Sequence, residues 1–187
     1  MTCARAPAVG PRGRRVGVDA SAVMLAEARH RQAAAGRAVA FVVGDAPPLA
    51  CADGACDRCR AERVPRHPED PGRAVAEMVR VVRPGGKKVV FARDWGVRCV
   101  DSPSPETTRA IPRAFSDGRR HGWIGRRLPR LCQGAGLVEV TCAPQAVHLD
   151  KAFAQRLGEG YRTKVQAGVS ANRVHGFGRV MALGHIW

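Results

Sequence analysis

Two short apolar runs, Val16-Gly17-Val18-Asp19 and Val42-Val43-Gly44-Asp45, each close on an aspartate, and they constrain this chain more than any other feature of it. Between them lies a stretch at helical spacing. Ser21 is a candidate N-cap for a helix over 22–35. Met24, Leu25, Ala28 and Ala35 fall near one face of that helix, and Gly36 stops it. The second run starts at Val39 and is continuously apolar (VAFVV), the pattern of a parallel strand covered by helices on both faces.

The alternation continues downstream. Residues 55–61 read as a weaker strand. Asp70 is a candidate N-cap with Pro71 at the first helical position. Val75, Met78, Val79 and Val82 then recur at helical spacing until Pro84-Gly85-Gly86 ends the helix. Residues 87–92 (KKVVFA) form the next strand. Between Asp94 and Gly122 the pattern weakens at Pro103, Pro105 and Pro112, so any helices there are expected to be short. A helix over 124–132 is closed by Gly134 and Gly136. Residues 137–142 alternate as a strand does, 150–165 suit a helix, and 174–183 suit a last strand. Strands alternating with helices predict an α/β sheet with mainly parallel strands. The 187 residues suit one domain, 1–187, with its own core.

Composition excludes several classes. No apolar run is long enough to cross a bilayer, so no membrane partner is expected. The basic start, Met1 to Arg15, lacks the apolar centre of a secretory signal, which makes the cytosol the expected location. Seven scattered cysteines then read as reduced thiols. The net charge of +15 invites a nucleic-acid reading. Yet the basic residues spread along the chain, and the densest patch, Arg109 to Arg130, has no interleaved aromatic platform. Solvated surface charge is the favoured reading. Cys56 and Cys59 with Cys51 and His67 suggest zinc, but on a strand Cys56 and Cys59 point to opposite faces. No metal is expected.

Open α/β sheets bind ligands at the carboxyl ends of their strands. That directs attention to Asp19, Asp45, Glu62 and Asp94. An acid at Asp19 suits two ribose hydroxyls, and one at Asp45 suits an adenine amino group; each also suits a cap or a turn.

The ordered set VGVDAS (16–21), GDA (44–46), ERV…H..DP (62–71) and RPGG with a Val-rich strand (83–90) resembles the class I S-adenosylmethionine (SAM)-dependent methyltransferases. More narrowly, it resembles the type 11 methyltransferase domains. The resemblance covers about residues 4–141. It implies a Rossmann-like, three-layer αβα fold and a SAM-dependent enzyme acting on a small-molecule acceptor. By position, Asp19 with Ala20 holds the SAM ribose, and Gly44, Asp45 and Ala46 hold the adenine. Glu62 and Arg63 lie near the methyl-transfer end, with His67 as base beside the substrate. Residues 94–134 supply a substrate cap. The family's first strand and glycine-rich loop are missing from residues 4–13, and Gly10 and Gly13 do not replace them. Pro65 stands where an apolar residue is usual, and Cys56-Asp57-Arg58 where Phe-Asp-apolar is usual. Two other readings stand beside the enzyme: a non-catalytic methyltransferase-like fragment acting through a partner, and a basic nucleic-acid-binding protein.

Overall fold

The computed structural model describes residues 13–35, 39–97, 99–100, 103–147, 174–175 and 177–185. They belong to two compact units, Met1–Ala52 and Asp53–Trp187.

The first unit is β1 (Val16–Asp19), α1 (Ala22–Ala34) and β2 (Ala40–Val43). β1 and β2 pair in parallel, with Asp19 beside Val43, as a strand–helix–strand connection requires. Ser21 does cap α1: its hydroxyl accepts from the Met24 N–H at 3.3 Å. Leu25 is the buried anchor of the helix. Two expectations fail in this unit. Met24 does not join the apolar face and is 57% exposed. The VAFVV run is not covered on both sides, since Val42 and Val43 are 42% and 57% exposed. The two strands and one helix described in this unit offer too little surface to bury every apolar side chain of a parallel strand.

The second unit contains β3 (Cys56–Glu62), α2 (Pro71–Arg80), β4 (Val82–Arg93), a 3₁₀ turn (Trp95–Val97), β5 (Cys99–Val100), α3 (Pro105–Asp117), α4 (Ile124–Gly134), β6 (Val138–Val147), β7 (Val174–His175) and β8 (Phe177–His185). Its main sheet has the order β3-β4-β8-β6. β3 and β4 are parallel; β8 lies between β4 and β6, antiparallel to both. β5 pairs with β7 separately. Among the described residues, no strand stands beside the outer edge of β1 or of β3.

Helices α2 and α4 cover this sheet. Val75, Met78, Ile124, Leu128 and Cys132 meet Ala61, Val90, Ala92 and Leu137 in one apolar cluster. Val75, Ile124 and Leu128 are fully buried, and each contributes about 1.5–3 kcal/mol by leaving water. Asp70 caps α2 by accepting from the N–H of Gly72 at 2.7 Å and of Arg73 at 3.4 Å. The helix stops at Arg80, before Pro84-Gly85-Gly86. Those residues instead form a bulge within β4, where the pairing with β3 jumps from Cys56–Val82 to Arg58–Lys87. Gly85 takes φ 72°. A Cβ on Gly86 would sit 2.6 Å from the Asp57 carbonyl oxygen, so only glycine fits.

The expectation of short helices between Asp94 and Gly122 is overturned by α3, a 13-residue helix. Ser104 caps it through the Thr107 N–H at 3.3 Å, and Pro105 sits in its first turn. Pro112 removes one helical hydrogen bond without ending the helix. Buried Ile111 and Ser116 anchor it. The helix expected over 150–165 lies outside the described residues. Among the described residues, no helix is long and apolar enough to cross a membrane.

Candidate functional site

In the first unit, the sheet register brings Asp19 and the Gly44-Asp45-Ala46 turn to the same carboxyl edge. The Gly44 N–H donates to the Asp19 carbonyl at 3.1 Å and ties the two strand ends together. Asp19 Oδ1 accepts from the Ser21 N–H at 2.8 Å, which turns the chain into α1 just after Ala20. Asp45 Oδ1 accepts from the Ala46 N–H at 2.8 Å. Each aspartate keeps its carboxylate at the surface of the edge, with lone pairs beyond the one its turn uses. Gly17, Asp19, Leu25 and Phe41 line a shallow pocket between the strands and α1. Gly44 packs closely here, since a Cβ would stand 3.2 Å from Val18 Cγ1. A ribose diol and an adenine amine are both hydrogen-bond donors that such an edge suits.

In the second unit, Glu62 and Arg63 end β3. Glu62 takes Arg60 at 2.5 Å and lies 3.9 Å from the Arg63 guanidinium. Arg63 adopts φ 63°, a left-handed conformation uncommon for a side-chain-bearing residue. Its N–H donates to the Phe91 carbonyl at 2.7 Å, which fixes this corner to β4. His67, itself exposed, follows in a turn closed by its own N–H on the Val64 carbonyl at 3.0 Å, with Pro65 buried in the same turn. Arg66 Nε donates to His67 Nε2 at 2.9 Å. That lone pair is therefore engaged, and the ring proton resides on Nδ1.

Asp94, flagged by its place at a strand end, has a structural task. It is fully buried. Its oxygens accept from Arg126 Nε at 2.7 Å and Nη2 at 2.8 Å, and from the backbone N–H of Arg126 at 3.0 Å and of Gly96 at 2.9 Å. Burial pushes its carboxyl up, but the Arg126 side chain and the two backbone donors together outweigh this and hold it below the usual carboxylate value. The same pairing raises Arg126.

Sequence reasoning missed what surrounds this pair. Residues 118–123, between α3 and α4, fold back over the carboxyl ends of β3 and β4. The Trp95 N–H donates to the Gly122 carbonyl at 2.8 Å. His121 Nε2 donates to the Pro68 carbonyl at 2.8 Å, and Arg120 Nη1 reaches the His67 carbonyl at 3.5 Å. The Arg119 guanidinium lies 3.9 Å from the centre of the Trp95 ring, and Trp95 stacks on Phe115. The one local signal was the dense Arg run itself, which carries no spacing that foretells these partners. Among the described residues, no group of three metal-ligating side chains converges.

Residues 2–90 match the family model described as a methyltransferase domain. Over 140 residues the chain is 41% identical to an uncharacterized 37.1 kDa protein in transposon Tn4556 of Streptomyces fradiae. That match takes in 74% of this chain and 40% of the relative, so the chain spans less than half the relative's length. The fold resembles the YcgJ protein of Bacillus subtilis, with a TM-score of 0.64 at 16% identity over 91% of this chain and 81% of that one. It also resembles phosphoethanolamine N-methyltransferase 2 of Haemonchus contortus, solved in complex with S-adenosyl-L-methionine, with a TM-score of 0.57 at 15% identity over 92% of this chain and 43% of that one.

Proposed function

We propose that this chain, whose residues 2–90 match the methyltransferase domain model and whose fold resembles a methyltransferase solved with S-adenosyl-L-methionine, binds SAM and transfers its methyl group to a small-molecule acceptor. The observation that carries this reading is the pair Asp19 and Asp45 on one carboxyl edge of β1–β2. Asp19 with Ala20 takes the ribose, and Gly44, Asp45 and Ala46 take the adenine. When bound, SAM supplies a methyl carbon activated by its sulfonium. Such a methyl needs alignment more than acid catalysis. In the second unit, Glu62 and Arg63 are the residues that the family resemblance assigns to the methyl-transfer end, and residues 94–134 are the candidate acceptor cap.

His67 is the base for an acceptor whose oxygen or carbon must lose a proton. Its Nε2 lone pair is engaged by Arg66. Proton removal therefore requires Arg66 to release that nitrogen first. Ultraviolet cross-linking of methyl-labelled SAM, followed by peptide mapping, tests the assignment. Label in the peptides spanning 16–46 is expected. Label confined to other peptides, or none, contradicts it.

A second reading has one observation in its favour. Val16 on β1 and Val42 and Val43 on β2 are 52%, 42% and 57% exposed, and among the described residues no strand pairs with the outer edge of β1, which suits a fragment that acts through a partner. A chain that binds no SAM but co-purifies as a stoichiometric hetero-complex supports that alternative.

A further inference from the structure

The carboxyl edge of the β3–β4 sheet holds fixed positive charge that methyl transfer by itself does not require. Two guanidiniums flank one buried indole: Arg119 lies 3.9 Å and Arg93 5.7 Å from the centre of Trp95. An arginine stacked on an aromatic ring presents its N–H groups in its own plane and stays well suited to carboxylate and phosphate oxygens. The backbone carrying Arg119 and Arg120 is pinned. Gly122 packs so closely on Ser116 that a Cβ would meet its carbonyl carbon at 2.7 Å. The loop is also tied to Trp95 and to Pro68 by hydrogen bonds of 2.8 Å. Asp94 and Glu62, at the ends of these strands, have partners of their own in Arg126 and Arg60. Arg119, held over Trp95, and the pinned backbone that carries the exposed Arg120 lose little freedom on binding a ligand.

We propose that Arg119 and Arg120 form a preorganised receptor for an anionic group, so that the methyl acceptor carries a carboxylate or a phosphate. This inference rests on the methyl-transfer reading proposed above. His67 stands beside the receptor, because the Arg120 guanidinium contacts its carbonyl at 3.5 Å. An acceptor anchored through its anion would thus present a neighbouring hydroxyl or acidic carbon to the imidazole.

The test is titration of the purified chain with benzoate, with methyl phosphate and with the neutral isostere benzamide. It is followed by tryptophan fluorescence at constant ionic strength, and S-adenosylhomocysteine binding is measured separately by calorimetry. Benzoate or methyl phosphate is expected to saturate while benzamide does not, and the better anion identifies carboxylate or phosphate as the natural group. Arg119→Met and Arg120→Met should each weaken anion binding about tenfold, the scale of one charge-assisted hydrogen bond. Arg58→Met, on the exposed part of β3, should leave it unchanged. Arg120 is exposed, so its variant keeps the test valid even if Arg119→Met fails to fold. Equal responses to benzoate and benzamide, or anion binding indifferent to both substitutions, overturn the proposal. So does tight, steeply salt-dependent oligonucleotide binding with inert small anions, which assigns the patch to nucleic acid. Anion binding lost in the variants of a chain that ignores S-adenosylhomocysteine keeps the receptor and removes the methyltransferase reading. The reverse pattern removes only the receptor.

Discussion

Replacing Asp94 with alanine should destabilise the chain more than any change to its partner Arg126. The reason is the difference in burial across the pair: the Asp94 side chain is 0% exposed and that of Arg126 is 47% exposed. Asp94→Ala removes the acceptor of two backbone N–H groups, those of Gly96 and Arg126. Hydrogen bonds to a charged group are worth about 1.5–3 kcal/mol each, so the loss is about 3–4 kcal/mol after partial rescue by water. Arg126→Met leaves Asp94 its two backbone donors and removes a guanidinium that solvent already screens, for a loss of about 1–2 kcal/mol. Urea unfolding of both variants reads the difference directly. The folded Asp94 carboxyl lies below its unfolded value, so its contribution is fully present above about pH 4 and is lost as pH falls through the folded pKa. Asp94→Ala should accordingly flatten the acid limb of the stability profile. An Arg126→Met loss that equals or exceeds that of Asp94→Ala, or an unchanged acid limb, refutes the reasoning.

Three further outcomes are expected. Gly122→Ala should cost about 2 kcal/mol or more, because its Cβ meets Ser116 backbone that has no slack, and thermal unfolding measures it. Lys88 is buried with its ammonium on the Gly86 carbonyl at 3.2 Å, and burial lowers its pKa. Lys88→Met should therefore raise stability by about 1 kcal/mol in urea unfolding at pH 7. Burial pushes the Cys132 thiol up to about 11, while Cys142 is exposed. A maleimide at neutral pH should label Cys142 quickly and Cys132 only after unfolding.

What the sequence revealed was local. The acids at Asp19 and Asp45, the Ser21 and Asp70 caps and the strand over 87–92 depend on neighbours within a few residues, and composition and spacing carry that information. What it concealed depends on distant partners. Asp94 reads as a site acid until Arg126, 32 residues away, occupies it. Pro112 reads as a helix breaker, yet the anchors of α3 outweigh the one bond it removes. The VAFVV run looks doubly covered because its apolar character is visible, whereas the area available to cover it is a property of the unit. Pro84-Gly85-Gly86 looks like a helix stop, but its glycines are demanded by a bulge against β3. The loop over Trp95 is legible only once α3 and α4 are in place, since its bonds reach Pro68 and His67.

The most direct measurement is calorimetric titration of S-adenosylhomocysteine into the wild-type chain, Asp19→Ala and Asp45→Ala. The account predicts micromolar binding by the wild type, abolished by Asp19→Ala and weakened by Asp45→Ala, with all three equally folded by circular dichroism. No binding by a well-folded wild-type chain, or binding that survives Asp19→Ala unchanged, contradicts it.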